Sequence, residues 1–188
     1  MRLFSILTIA ALAASSLAQT WVTNPANGHR YTLVSDNSSW SDAENEAVAL
    51  GGHLVTINDL DENQWVVKEI AAPVTISPVW IGLHQLPNSL EPGEGWTWSS
   101  GEAVTFTNWA DGEPNQYLGL IEDWAEMYIA DVPIGGWNDV NLSMTRVEYG
   151  VVEVVPEPAT IGILGLSLAF VARRSTTRPR RLGVTRRR

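Results

Sequence analysis

After a strand-like run at Val79–Leu83 (VWIGL), the chain continues for about fifty residues rich in Gly, Pro, Asn, Trp and acids, with little regular periodicity. Loops of that length are uncommon in compact domains and are usually functional. Such a segment must bury apolar area without regular helices or strands to carry it. Trp96, Trp98, Trp109, Trp124 and Trp137 supply that area, at about 1.5–3 kcal/mol for each large side chain removed from water. Any one of these rings is read as core rather than as an exposed binding platform. The 188 residues contain no Cys. Disulfides, zinc–thiolate sites and thiol nucleophiles are therefore excluded.

The flanking segments do carry periodicity. In SSWSDAENEAVALGGH, Trp40, Ala43, Ala47 and Leu50 fall on one helical stripe. Ser41 with Glu44 predicts a capping box, and Gly51-Gly52 predicts the stop. His53–Ile57 (HLVTI) reads as a short buried strand, with His53 in a structural role. Asn58 predicts the cap of a second helix over Asp59–Ile70, with Leu60, Trp65, Val66 and Ile70 as its apolar contacts. EDWAEMYI and VEYGVVEV read as closing strands, and His29 and His84 have no obvious partner set. No repeat or low-complexity linker divides residues 20–154. The expected class is α+β: two helices, several short antiparallel strands and one large Trp-pinned loop.

Charge is split along the chain. Between Gln19 and Val155 only Arg30, Lys68 and Arg146 are basic against twenty acids, a formal −17, whereas eight of the twelve basic residues lie at or beyond Arg173. So acidic a domain repels nucleic acid and suits divalent cations. Within the loop come WADGEPN (Trp109–Asn115), then Glu122-Asp123, then Gly136-Trp137-Asn138-Asp139. Glu113, Glu122 and Asp139 offer carboxylates, and Asn115 and Asn138 offer amide carbonyls. With a backbone carbonyl, these match the roughly six to eight oxygens that calcium takes, whereas magnesium wants a stricter octahedron. Transition metals favour His or Cys, and neither occurs in the set. A cis bond before Pro114 would aim Glu113 and Asn115 the same way. Carboxylates held together repel one another, so a bound ion would also order the loop. Paired acids can serve a glycosidase, but these are better used on a metal, and no enzyme activity is expected.

In order along the chain, SWSDAENEAVALGGHLVTI, WIGL, WTWSSGE, NWADGEPN, ED, GGWND and YGVVE resemble the C-type lectin-like domain across nearly all of residues 28–154. The resemblance implies two helices, small antiparallel sheets and a long calcium-binding loop. It implies a principal Ca2+ site at Glu113, Asn115, Glu122, Asn138 and Asp139, the last through both side chain and backbone. Sugars bind such sites by coordinating the ion through vicinal hydroxyls and by hydrogen bonding to the same residues. Glu113 and Asp139 would accept, while Asn115 and Asn138 would donate. The EPN order resembles the mannose-type subset, which covers mannose, N-acetylglucosamine, glucose and fucose; a QPD order would resemble the galactose type. The stretch from Glu113 to Glu122 is about one residue longer than the commonest family spacing, and a shifted register would present Asp123 instead. Glu91, Glu94 and Asp123 are candidates for a second calcium site. Tyr117 is read as a surface-loop residue in preference to a sugar contact. The family's disulfide positions fall at Ala47 with Val152 and at Trp124 with Leu142, apolar pairs here. A lost disulfide costs about 2–5 kcal/mol, which apolar burial offsets in part.

The two ends read as address labels. One Arg, an apolar stretch from Leu3 to Leu12 and small residues up to Ala18 form the order of a secretory signal peptide over residues 1–18, with cleavage after Ala18. Ala159–Ala172 carries no charge and precedes an Arg block. That span is shorter than the ~20 residues of a comfortable bilayer crossing, yet the positive-inside preference can hold it with the Arg tail cytoplasmic. Val155-Pro156-Glu157-Pro158, the apolar span and the Arg cluster resemble the PEP-CTERM sorting signal of bacterial surface proteins, over residues 155–188. The resemblance implies recognition by an exosortase, transient inner-membrane anchoring, tail removal, and release or attachment at the cell exterior. An ordinary tail anchor is the alternative. The expected function is a secreted or surface-sorted, calcium-dependent, mannose-type carbohydrate-binding protein, with exopolysaccharide as a candidate ligand. The competing expectation is a structural or protein-interaction module that keeps the fold without sugar.

Overall fold

β1 (Val22–Thr23) and β2 (Arg30–Ser35) open the fold as an antiparallel hairpin. The structure, a computed structural model, describes residues 19–35, 39–74, 78–130, 133–141 and 147–156. The expected signal peptide, apolar span and Arg tail lie outside them. The chain separates into two units, residues 1–155 and 156–188, and every regular element among the described residues belongs to the first.

Ser39, not Ser41, caps α1 (Trp40–Ala49), its Oγ accepting from the Asp42 N–H at 3.1 Å. Glu44 is drawn away from the expected capping box. Its carboxylate accepts from the Leu54 N–H at 2.8 Å and from Ser99 Oγ at 3.0 Å, and meets His53 Nδ1 at 2.9 Å. His53 is therefore structural, as expected. Trp40, Ala43 and Ala47 bury the predicted stripe. Only His53–Leu54 forms a regular strand, β3, although burial continues through Val55 and Ile57. Asp59, not Asn58, caps α2 (Leu60–Trp65) by accepting from the Glu62 N–H, and Val66–Ile70 continues it as a π-turn. The Asn58 amide instead donates to Glu102 Oε2 at 3.1 Å. Leu60, expected to face inward, is exposed, because this short helix turns Glu62 and Asn63 to the interior.

The remaining strands are β4 (Val79–Gln85), β5 (Trp96–Trp98), β6 (Trp124–Met127), β7 (Trp137–Val140) and β8 (Tyr149–Val154). They join one mixed sheet, in the order β1-β2-β8-β4-β6-β7, with β3 on β8 and β5 on β4. β4 runs parallel to β8, which departs from the expected small antiparallel sheets. A parallel pair needs a long connection, and the loop with β5–β7 provides it.

The Trp residues of the loop pack on the core, as expected, but to different depths. Trp98 and Trp137 are buried, and Trp96 and Trp109 pack half-exposed against the same core. Trp96 meets Trp109 edge-on at 4.7 Å, and Trp137 meets Trp98 at 5.6 Å and Trp109 at 5.9 Å. Each such pair contributes about 0.5–1.5 kcal/mol beyond its area. Ala47 and Val152, the first family disulfide pair, are fully buried in one apolar cluster with Val34. Trp124 packs partly buried beside Trp40, Leu54 and Trp80, while Leu142 lies outside the described residues.

Gly52, in the turn between α1 and β3, lies hard against β8. A Cβ there would lie 2.0 Å from the Glu153 carbonyl oxygen and 2.8 Å from a Val154 methyl. Gly52→Ala should therefore lower the unfolding free energy by about 1–3 kcal/mol. Gly93→Ala, at a position with nothing within 4 Å, should stay within about 0.5 kcal/mol. Denaturant melts of both variants check this.

Candidate functional site

Trp137 positions the loop around β7. Its indole N–H donates to Asn63 Oδ1 at 2.8 Å. The Asn63 and Asn108 amides both donate to the Gly135 carbonyl, at 3.0 and 2.7 Å. The Trp137 N–H donates to the Asn108 carbonyl and the Ala110 N–H to the Trp137 carbonyl, each at 2.8 Å. These bonds lay residues 108–110 alongside β7, and a turn closed by the Glu113 N–H on the Ala110 carbonyl at 3.0 Å brings Glu113 toward Asp139.

Glu113, Asn115, Glu122, Asn138 and Asp139, the residues picked out by the sequence, all line one cleft of about 260 Å3. The Glu113–Pro114 bond is cis. Asp139 accepts from the Asn115 N–H through both carboxylate oxygens, at 3.0 and 3.1 Å, and from the Gln116 N–H at 3.1 Å. Glu122 accepts from the Tyr117 N–H at 2.6 Å. Asp123, the alternative to Glu122, is not among the lining residues; its backbone carbonyl accepts from the Gln85 N–H at 2.8 Å. Tyr117 is exposed at the rim of the cleft.

Glu126 joins the lining and accepts from the Asn138 amide at 3.0 Å. The sequence reading omits it. Glu126 stands opposite Asn138 in the β6–β7 pairing, a cross-strand neighbour that no local pattern in the sequence displays. Of the second-site candidates, Glu91 and Glu94 are exposed.

Among the described residues, no three Asp, Glu, Cys or His side chains are already drawn together as a metal cage. The cleft is nonetheless electrostatically incomplete. Glu122, Glu126 and Asp139 are each more than nine-tenths buried, and no Lys or Arg lines the cleft among the described residues. Burial first, then a hydrogen bond and charge from Asp139 and the charges of Glu122 and Glu126, push the Glu113 carboxyl up to about 7. Burial, with the Asp139 charge, also raises Glu122, against hydrogen bonds from Tyr117 and Asn141. Glu113 Oε2 is buried without a hydrogen-bond partner. Crowded carboxylates and an orphaned oxygen suit a hard cation with oxygen ligands, so the residues present fit calcium.

From pH 4.5, the ordinary value for Glu, to about 7, the folded chain holds a Glu113 proton that the unfolded chain has lost. Stability of the calcium-free protein should therefore fall as pH rises across that window. Glu113→Gln should flatten this slope and raise the calcium-free melting temperature at pH 8 by about 2–4 °C. Thermal melts in chelator, taken across that pH range, decide the matter; an unchanged slope would refute it.

Residues 36–141 match the lectin C-type domain, and residues 154–178 match the PEP-CTERM protein-sorting motif. Human C-type mannose receptor 2 is 34% identical over 115 residues, which is 61% of this chain and 7% of that receptor. The C-type lectin lectoxin-Lio1 of Erythrolamprus poecilogyrus is 30% identical over 155 residues, covering 77% of this chain and 88% of its own. Among solved structures, the cow C-type carbohydrate-recognition domain of CD23 superposes with a TM-score of 0.60 at 23% identity, covering 76% of this chain and 98% of that one. A calcium-independent type II antifreeze protein superposes with a TM-score of 0.56 at 20% identity, over 72% of this chain and 91% of its own. The fold is thus the expected α+β C-type lectin-like fold. C-type lectin domains generally bind calcium, although this last neighbour is described as calcium-independent. The family is one of binding domains rather than enzymes. Matched over more than half its residues, the chain belongs to the lectin C-type domain family and carries a PEP-CTERM sorting motif.

Proposed function

We propose that residues 20–154 form a calcium-dependent carbohydrate-binding module of mannose-type specificity. Glu113, Asn115, Glu122, Asn138 and Asp139 hold Ca2+ and meet the sugar. The reading rests on one observation: side chains from three separate segments converge in one cleft around a buried carboxylate oxygen that lacks a partner. The ion would supply the charge that the cleft lacks and take sugar hydroxyls into its shell, while the Asn amides donate and the acids accept. The EPN order argues for mannose, N-acetylglucosamine, glucose or fucose. The name of the mannose receptor relative and the GlcNAc2Man3 oligosaccharide described with the cow domain run the same way.

In this reading residues 1–18 direct export and residues 155–188 are the exosortase-processed sorting signal, with transient membrane anchoring before the tail is removed. Among the described residues no helix is long and apolar enough to cross a membrane; Ala159–Ala172 lies outside them. The mature protein is then secreted or surface-attached, and exopolysaccharide is an accessible ligand. Weak single-site binding gains strength when many copies cluster.

A structural or protein-interaction role without sugar is the second reading. Asp139 and Glu122 already accept backbone N–H groups, so the loop has an internal means of holding shape. Calorimetry with calcium alone, then with mannose, separates the two readings. The first expects a calcium Kd near ~10⁻⁴–10⁻³ M. It also expects sugar binding only with calcium, and loss of both in Asp139→Ala and Asn138→Ala. Affinity should fall by up to about tenfold per pH unit below the Glu113 value, because a proton must leave for the ion to bind. Glu113→Gln with Asn115→Asp should shift preference toward galactose. Calcium heat with no later sugar signal would favour the second reading.

A further inference from the structure

Among the described residues, three buried acids lie outside the five-residue set of the loop cleft. Glu62 accepts from the Tyr31 hydroxyl at 2.6 Å and from the Asn58 N–H at 2.8 Å. Glu153 accepts from the Thr56 N–H at 3.0 Å and pairs with His29 Nδ1 at 2.6 Å. His29, without an evident partner in the sequence, is thereby engaged. Both acids join one part of the scaffold to another. Glu126 differs. It is 6% exposed, it lines the loop cleft, and its Oε1 accepts from a side chain of that cleft, Asn138 Nδ2, at 3.0 Å.

The sheet holds this pair in place. Glu126 stands opposite Asn138 between β6 and β7, and the next rung pairs Met127 with Trp137, both fully buried. A slip of register would drag those two side chains out of the core. The chemistry of the contact then fixes the amide. An Asn amide has a donor end and an acceptor end of nearly the same shape, so packing alone does not choose between them. A carboxylate accepts and has nothing to donate, so it selects the NH2 end. Asn138 Oδ1 is thereby kept off Glu126, and the bond uses one of the two Nδ2 hydrogens.

We propose that Glu126 is a positioning residue of the loop cleft: it locks the Asn138 amide so that Oδ1 is offered to the ion and one Nδ2 hydrogen is left for the sugar. The inference rests on the calcium reading above and adds to it a residue that touches neither ion nor sugar. A side chain whose orientation is set before binding loses less freedom when the ion arrives. An unlocked amide also turns its NH2 end toward the acids of the cleft, where it leaves no oxygen for a cation. The lock has a second effect. Asn138 presents the sugar with a single donor in a fixed plane, so an incoming hydroxyl must accept there and has one direction from which to do so.

The test uses the full-length chain labelled with nitrogen-15 on asparagine. In chelator the Asn138 side-chain amide, identified by its absence from Asn138→Ala, should give two unequal signals, one of them shifted downfield and slow to exchange. Both should persist when calcium is added. Loss of the downfield signal on adding calcium would mean that Glu126 turns to the ion as a ligand, and would overturn the proposal. Glu126→Gln and Glu126→Met remove the same charge, but only Gln keeps an acceptor. Calorimetry should therefore find calcium bound about three- to tenfold more weakly by Glu126→Met than by Glu126→Gln. Equal affinities would reduce Glu126 to a charge and overturn the proposal. The wild-type spectra decide the matter should Glu126→Met fail to fold. A wild-type chain that takes no calcium sinks the parent reading and this one with it; a chain that takes calcium through an averaged Asn138 amide sinks this one alone.

Discussion

Burial of Trp137 is the interaction on which the long loop depends. That segment has only the short strands β5, β6 and β7 to tie it to the sheet, and it has no disulfide. The fully buried indole is in edge contact with Trp98, Phe106 and Trp109. Its N–H and both of its backbone groups bind Asn63, Asn108 and Ala110. Asn138 and Asp139 follow it directly along β7 and so inherit its position. Loss of the ring would cost the core several kcal/mol, in the range of about 3–5 typical for a buried aromatic. It would also release the strand that aims two of the cleft residues.

Against this apolar anchor stands an acidic cleft that works the other way. Glu113, Glu122, Glu126 and Asp139 are partly or wholly out of water in one place. Burial and the neighbouring charges raise the proton affinity of Glu113 and Glu122 instead of stabilising the fold. Backbone N–H groups relieve Asp139 and Glu122, and the Asn138 amide relieves Glu126. The strain concentrates on Glu113, whose Oε2 has no donor. Such a group costs the calcium-free fold stability, the pattern that the proposed calcium site would explain.

The sequence was most legible where one rule governs one stretch. The stripe Trp40–Ala43–Ala47 and the strand at Val79–Leu83 follow hydrophobic period alone. The five loop residues were found by chemical type and order, and the structure brings them to one cleft. Cap assignments slipped by one or two residues, because Ser39 and Asp59 cap through extended backbone angles that the sequence does not display. β7 was hidden because Asn and Asp read as turn formers, yet a sheet edge and a buried Trp overrule them. The parallel β4–β8 pair and the roles of Glu44 and Glu62 depend on partners far along the chain. No local pattern carries such pairings.

Ala47 and Val152 meet in one apolar cluster, without a sulfur bridge. The union of α1 with the sheet is therefore indifferent to redox potential. The domain needs no oxidising compartment to complete its fold, and it offers no thiol to exchange with its neighbours.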